Sequence, residues 1–267
     1  MKTRSYFVYA LCALLQSCNM VNAQVVWLST KNTDFSKCDH EKRDVKPFDA
    51  VTNTCPFDVI YEQSDEQYVI VEGDEEYFGR LHTDVRRGVL EISIDPARYR
   101  NVRLRVKVGC PKISQIFMDG SGSIQCKSDI ASDGELSVRL SGSGDIIAQR
   151  IRCSKMETAV AGSGDIMIAD IEAGEVTLNV AGSGDWGAKR IKANNLTISV
   201  AGSGDVEIAD VDVEDTLSAS VSGSGDIDVN GKTHTASAKV IGSGDISGRL
   251  SYENITKTKS GSGDIDW

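Results

Sequence analysis

Between Leu136 and Trp267, apolar and polar residues alternate in a pattern that returns about every twenty residues. Leu140, Val160, Val180, Val200, Val221 and Val240 form one column of the repeat. Two residues earlier stand Val138, Thr158, Leu178, Ile198, Ala219 and Ala238, and two earlier again Leu136, Met156, Val176, Leu196, Leu217 and Ala236, with polar residues between. A period of two predicts one strand per repeat with one face buried. A second alternating run opens in each unit at Ile146, Ile166, Trp186, Val206, Ile227, Ile246 and Ile265. Each unit is therefore two or three short strands joined by turns, too small to bury its own apolar columns. Coiling each unit onto the last brings like columns together at ~4.8 Å around a shared aliphatic interior. Because parallel crossovers are almost always right-handed, the pattern predicts an all-β, right-handed, single-chain parallel β-helix with about 20 residues per coil.

The turns carry the second signal. Gly-Ser-Gly-Asp begins at Gly142, Gly162, Gly182, Gly202, Gly223, Gly242 and Gly261, and a Gly-Ser-Gly-Ser variant at Gly120, in steps of 19 to 22 residues. Glycine at a fixed turn position predicts a bend whose conformation a Cβ would obstruct. An antiparallel sandwich is disfavoured, because the array has one tight hairpin signal, Asn230-Gly231. Propeller blades need about twice this period. In the last coil Lys257 and Lys259 replace apolar residues, which reads as charge guarding an open sheet edge.

Upstream, Tyr68 to Val71 and Val89 to Ile94 are strand-like, and Val102, Leu104, Val106 and Val108 alternate with Arg103, Arg105 and Lys107. With Arg98 and Arg100, these cations are either a docking stripe for an acidic partner or the cross-strand partners of nearby carboxylates. Residues 74–87 read as a helical turn or long loop. The organisation that follows is a leader or cap at 24–46 and a β-helix domain at 47–267. Its coils are less regular over 47–119 and repeat over 120–267.

Met1 to Ala23 has the form of a secretory signal, with Lys2 and Arg4 before an apolar run from Tyr6 to Leu15. A second cut fits the same segment: Leu15-Gln16-Ser17-Cys18 resembles a lipobox with Cys18 as the lipid-bearing residue, leaving a leader of 1–17. Both predict export to the periplasm, the outer membrane or the cell surface, and no later run is long enough to span a membrane. Loss of the leader takes the formal charge from −10 to −12. Such a surface repels nucleic acid and anionic lipid, leaving an envelope protein or a glycan as partner. The mature chain keeps Cys38, Cys55, Cys110, Cys126 and Cys153. In an oxidising compartment these favour disulfides in the N-terminal half, with one thiol left over.

Serial Gly-Ser-Gly-Asp-Ile copies, together with Val71-Glu72-Gly73-Asp74-Glu75, Gly88-Val89-Leu90-Glu91-Ile92 and Cys110-Pro111-Lys112-Ile113, resemble the auto-transporter adhesin head GIN domain family. The resemblance runs from Phe48 to Trp267. It implies a bacterial exported β-helix and, by analogy with other β-helical surface proteins, adhesion. Ser123 in place of Asp and Trp186 in place of Ile depart from the pattern.

The candidate chemistry is an aspartate column: Asp145, Asp165, Asp185, Asp205, Asp226, Asp245 and Asp264. Stacked one per coil, these carboxylates repel by about 3 kcal/mol per neighbour at an effective dielectric of 20. Three readings relieve or use that charge. Each Asp accepts backbone N–H bonds in its own turn, Ca²⁺ sits between turns, or the column is an acidic ridge facing a ligand. No catalytic residue is assigned, because His40, His82 and His234 share no motif and the carboxylates are alike and evenly spread. The expectation is a non-catalytic exported module that binds a surface, glycan or protein in the cell envelope. The alternatives are an envelope scaffold or stress-associated lipoprotein without external ligand, and a carbohydrate-active enzyme with its site in 74–87.

Overall fold

A computed structural model describes residues 34–267 of the chain. The signal segment, its cleavage sites and Cys18 lie outside the described residues. Phe35–Trp267 form one compact unit, a nearly all-β solenoid of about 8 turns with coils of about 20 residues.

The less regular half contains β1 (Asp39–Arg43), β2 (Ala50–Asn53), β3 (Asp58–Gln63), β4 (Tyr68–Gly73), β5 (Leu81–Arg86), β6 (Val89–Ile94), β7 (Leu104–Cys110), β8 (Gln115–Met118) and β9 (Ser123–Cys126). The regular half follows as β10 (Ile130–Ala131), β11 (Glu135–Leu140), β12 (Asp145–Val160), β13 (Ile166–Val180), β14 (Trp186–Val200), β15 (Val206–Gly223) and β16 (Ile227–Gly242). Its last coil is β17 (Ile246–Ser247), β18 (Leu250–Ser251), β19 (Asn254–Gly261) and β20 (Ile265–Asp266).

From β12 to β16 each long strand wraps one coil and pairs in parallel with the next, so that like repeat positions meet: Ile146 with Ile166, Leu178 with Ile198, Val180 with Val200, Val200 with Val221. The three apolar columns fill the interior, where Leu136, Met156, Val176, Leu196, Leu217 and Ala236 are all fully buried. Trp186 occupies its isoleucine column equally buried. Unequal repeat lengths are absorbed at corners rather than in the columns. The 21-residue step places its extra residue at the bulge between Val213 and Thr216, and the core register resumes at Leu217.

The N-terminal coils are stacked out of sequence order. Strand β2 lies between β6 and β8, and β3 between β7 and β9, all in parallel. The first coil thus supports the repeats directly, while the chain runs outward through 68–110 before returning over it. Antiparallel pairs finish that end: β4 on β7, β1 on β4 and β5 on β6. Part of the segment expected as an irregular leader is therefore strand β1. The 74–87 stretch holds a 3₁₀ turn, Glu75–Arg80, whose Phe78 is buried in the core, followed by β5.

Three cations of the basic stripe, Arg103, Arg105 and Lys107, are partners of carboxylates. Arg105 and Lys107 on β7 both reach Glu72 on β4, at 2.6 and 2.8 Å, and Arg103 pairs with Asp74 at 2.8 Å. Burial raises the Glu72 carboxyl, but Lys107 and Arg105 outweigh it and hold the group below the usual range.

The expected disulfides are not formed: Cys55, Cys110, Cys126 and Cys153 are buried free thiols. Cys110 on β7 and Cys126 on β9 flank β3 from opposite sides. Cys110 stands against Gln63 and Cys126 against Tyr61, so two strand spacings put their Cα atoms at least ~9.6 Å apart, beyond the ~7 Å a disulfide spans. The Tyr61 ring lies on the strand between, its hydroxyl 3.6 Å from the Cys110 sulfur.

Candidate functional site: the aspartate ladder and the flanks

The Gly-Ser-Gly-Asp turns stack so closely that backbone touches backbone. A Cβ on Gly184 would come within 2.0 Å of the Gly164 carbonyl oxygen, and every paired glycine from Gly142 to Gly263 is blocked by the previous copy's glycine at 1.8 to 2.3 Å. Among these only Gly242 and Gly261 adopt positive φ. Close approach between coils, rather than the bend expected from the sequence, is what demands glycine at most of these positions.

That approach sets the geometry of the aspartates. The Asp185 backbone N–H donates to Oδ1 of Asp165 at 2.8 Å, and the Asp205 N–H to Oδ1 of Asp185 at 2.9 Å. The same bond links Asp165 to Asp145, Asp226 to Asp205, Asp245 to Asp226 and Asp264 to Asp245, at 2.7 to 3.2 Å. Each carboxylate from Asp145 to Asp245 therefore clamps the next coil, not its own turn. At the variant copy Asp58 on β3 supplies the missing rung. Its Oδ1 accepts from both the N–H and the hydroxyl of Ser123 at 3.0 and 2.9 Å.

Burial pushes the Asp145, Asp165, Asp185 and Asp205 carboxyls above their usual range, and a neighbouring aspartate adds to the rise, while the accepted N–H opposes it. One oxygen per carboxylate is already engaged, and the next carboxylate is a full coil away. Ca²⁺ needs six to eight oxygens, so this donor set does not fit it. Among the described residues no group of three or more His, Cys, Asp or Glu side chains gathers as a metal site.

The outward columns of the coils differ in kind. Along one corner run Asp129, Arg150, Asp170, Arg190 and Asp210, with Arg150 to Asp129 at 3.1 Å and Arg190 to Asp210 at 3.2 Å. A parallel column alternates again, with Arg152 to Glu172 at 3.0 Å and Lys232 to Asp212 at 3.2 Å. Two other outward columns are uncharged over the middle coils: Thr177, Thr197 and Ser218 in one, Asn179, Ser199 and Ser220 in the next. Sequence reasoning singled out the buried columns and passed over this outward grid. Its only signal was the small polar residue recurring between apolar ones.

The histidines are scattered: His82 pairs with Asp95 at 2.8 Å, His234 with Glu253 at 3.2 Å, and His40 lies on β1. A shallow hollow of about 430 Å³ at the N-terminal end is lined by Cys38, Asp39, His40, Glu41, Glu75 and Phe78. Among the described residues no helix is long and apolar enough to cross a membrane.

Stacked parallel coils around one aliphatic interior, tied by a carboxylate ladder, define a β-solenoid protein. The chain belongs to the family described as "Putative auto-transporter adhesin, head GIN domain", which matches residues 47–232. It is similar to the crystal structure of a putative adhesin from Parabacteroides distasonis (21% identity, 86% of this chain and 96% of that one, TM-score 0.78). A putative adhesin from Parabacteroides merdae is similar over the same shares at 18% identity and TM-score 0.76. So is a putative lipid binding protein from Parabacteroides distasonis, at 25% identity, 86% and 96% coverage and TM-score 0.75. No curated protein matches the chain.

Proposed function

We propose that this protein is a non-catalytic, exported binding module of the bacterial envelope, and that its uncharged flank contacts a neutral glycan or protein surface. One observation carries the reading. In a chain of formal net charge −10, the middle coils present Thr177, Thr197, Ser218, Asn179, Ser199 and Ser220 as a regular grid of hydroxyls and amides, while the charges of the Arg150 and Arg190 corner pair with one another. Rigid, evenly spaced donors and acceptors suit a repetitive neutral partner, since little side-chain freedom is lost on contact. The aspartate ladder is structural in this reading and holds the flank flat.

The family's adhesin description supports the same direction. The test is attachment of cells carrying Thr197→Lys with Ser199→Glu, beside the control Lys192→Glu in the charged column. Loss of attachment in the first and not the second is expected; equal attachment in both, or in a deletion strain, refutes the proposal. The two cuts of the leader, after Ala23 or before Cys18, differ in whether the protein is anchored. If Cys18 bears lipid, Cys18→Ala releases the protein from membranes, and a variant that stays membrane-bound excludes lipidation.

A further inference from the structure

Three arginines come together without a carboxylate between them. Arg103 and Arg105 bond Asp74 and Glu72, and Arg86 lies 3.5 Å from Glu91. Arg80, Arg98 and Arg100, by contrast, are exposed and enter no ion pair among the described residues. The fold brings their segments together. The Asp95 N–H donates to the Arg80 carbonyl at 3.0 Å, which sets the start of the 95–103 loop against the end of the Glu75–Arg80 turn.

That loop is held in shape. The Tyr99 hydroxyl donates to the Asp95 carbonyl at 2.5 Å, and the Tyr99 ring packs edge-on with Phe57 and Tyr77, at centroid distances of 5.6 and 5.9 Å. Asn101 takes φ 55°, and the chain is caught again where the Arg103 N–H donates to Oδ2 of Asp74 at 2.9 Å. With Tyr99 packed on its neighbours, Arg98 and Arg100 on either side of it are left to solvent, and all three rings keep part of their surface exposed. The nearby carboxylates are engaged elsewhere. Oδ1 of Asp95 lies 2.8 Å from Nε2 of His82, and Glu75, at the far end of the 3₁₀ turn from Arg80, lines the N-terminal hollow.

We infer that the 95–103 loop, with Arg80 and Tyr77 beside it, is a second binding site, and that its ligand is an acidic sugar chain bearing uronate carboxylates. In a protein of formal net charge −10, guanidiniums left without anions at one place are complementary to carboxylates, which each can grip through two parallel N–H bonds. A uronate joins its carboxylate to a ring whose C–H face can lie on exposed aromatic surface, so a single sugar meets both features of the site. A phosphate headgroup supplies the charge without that face. Because the loop is pinned at both ends, little chain freedom is lost on contact. The site is separate from the uncharged grid of β13, β14 and β15 and does not depend on it.

The experiment is calorimetric titration with tetragalacturonate, beside its methyl ester, which keeps the rings and removes the charges. Arg98→Gln with Arg100→Gln is compared with Lys112→Gln with Lys127→Gln, which takes the same charge from exposed positions elsewhere. The parent is expected to bind the acid, more weakly as salt rises, and not the ester. The arginine variant should lose ~tenfold or more in affinity, while the lysine variant binds like the parent. So should Thr197→Lys with Ser199→Glu, which separates failure of this site from failure of the grid. A parent that does not bind the acid overturns the inference, as do an arginine variant that binds like the parent, equal weakening in the arginine and lysine variants, or an ester bound as tightly as the acid. Binding to phosphatidylcholine vesicles containing phosphatidylglycerol, lost in the arginine variant and without binding to tetragalacturonate, overturns it in favour of a phosphate surface.

Discussion

Replacing Asp185 by Asn at the middle of the ladder should stabilise the protein at neutral pH. Asp185 is flanked by Asp165 and Asp205, one coil away on either side. At ~4.8 Å each like-charge pair costs about 0.9 kcal/mol in water and ~3.5 kcal/mol at an effective dielectric of 20. These groups keep contact with solvent, so the lower figure is the safer one, and two pairs give about 2 kcal/mol. Asn retains an Oδ1 for the Asp205 N–H, but the bond loses its charge assistance, worth about 1 kcal/mol. The net gain of about 1 kcal/mol raises the melting temperature by ~2–4 °C for a domain of this size. Asp185→Ala is the control. It removes the same repulsion but orphans the Asp205 N–H, which costs about 1–3 kcal/mol, so it should gain nothing or lose stability.

The pH dependence fixes the sign. The folded protein raises the Asp185 carboxyl above its usual 3.8, through burial first and Asp165 second. The folded state therefore binds that proton more tightly than the unfolded chain. The favourable contribution is fully present below pH ~3.8 and is lost as pH rises through the folded value. The advantage of Asp185→Asn should accordingly be largest at pH 7 and shrink toward pH 4. Thermal unfolding of parent, Asn and Ala variants followed by circular dichroism at pH 4, 5, 6 and 7 is the assay. An Asn variant that melts lower than the parent at pH 7, or whose advantage grows on acidification, would refute the reasoning.

Gly184→Ala places a methyl 2.0 Å from the Gly164 carbonyl and forces coils apart; a loss of about 3 kcal/mol or more is expected in denaturant unfolding. Cys55, Cys126 and Cys153 should resist a maleimide or disulfide reagent at pH 8, since burial pushes Cys55 and Cys153 up to about 11 and Cys126 to about 12; rapid labelling of these three before unfolding would contradict the buried placement. Glu72→Gln, which leaves Arg105 and Lys107 without their shared anion, should lower stability by about 1–3 kcal/mol in chemical denaturation. The Glu72 part of that stability should fall away in acid as pH drops through its lowered folded value, opposite in direction to the ladder.

The repeat itself specified the solenoid. Val160, Val180, Val200, Val221 and Val240 recur at a spacing that leaves a unit no way to bury them except against its neighbour, so local alternation and tertiary stacking are one constraint. Trp186 and the 21-residue step fit because column identity tolerates size and corners tolerate length. What the residues alone left open depended on which backbone faces which. The aspartates were legible as a column, but whether their acceptors serve their own turn or the next coil follows from a coil-to-coil approach that only stacking creates. Glycine was legible as a turn residue, while its cause proved to be the carbonyl beneath it. Cys110 and Cys126 stand apart because β3 inserts between β7 and β9, an order that sequence separation does not encode. Periodicity is a property of the chain; contact across its coils is a property of the folded molecule, and the site's chemistry resides there.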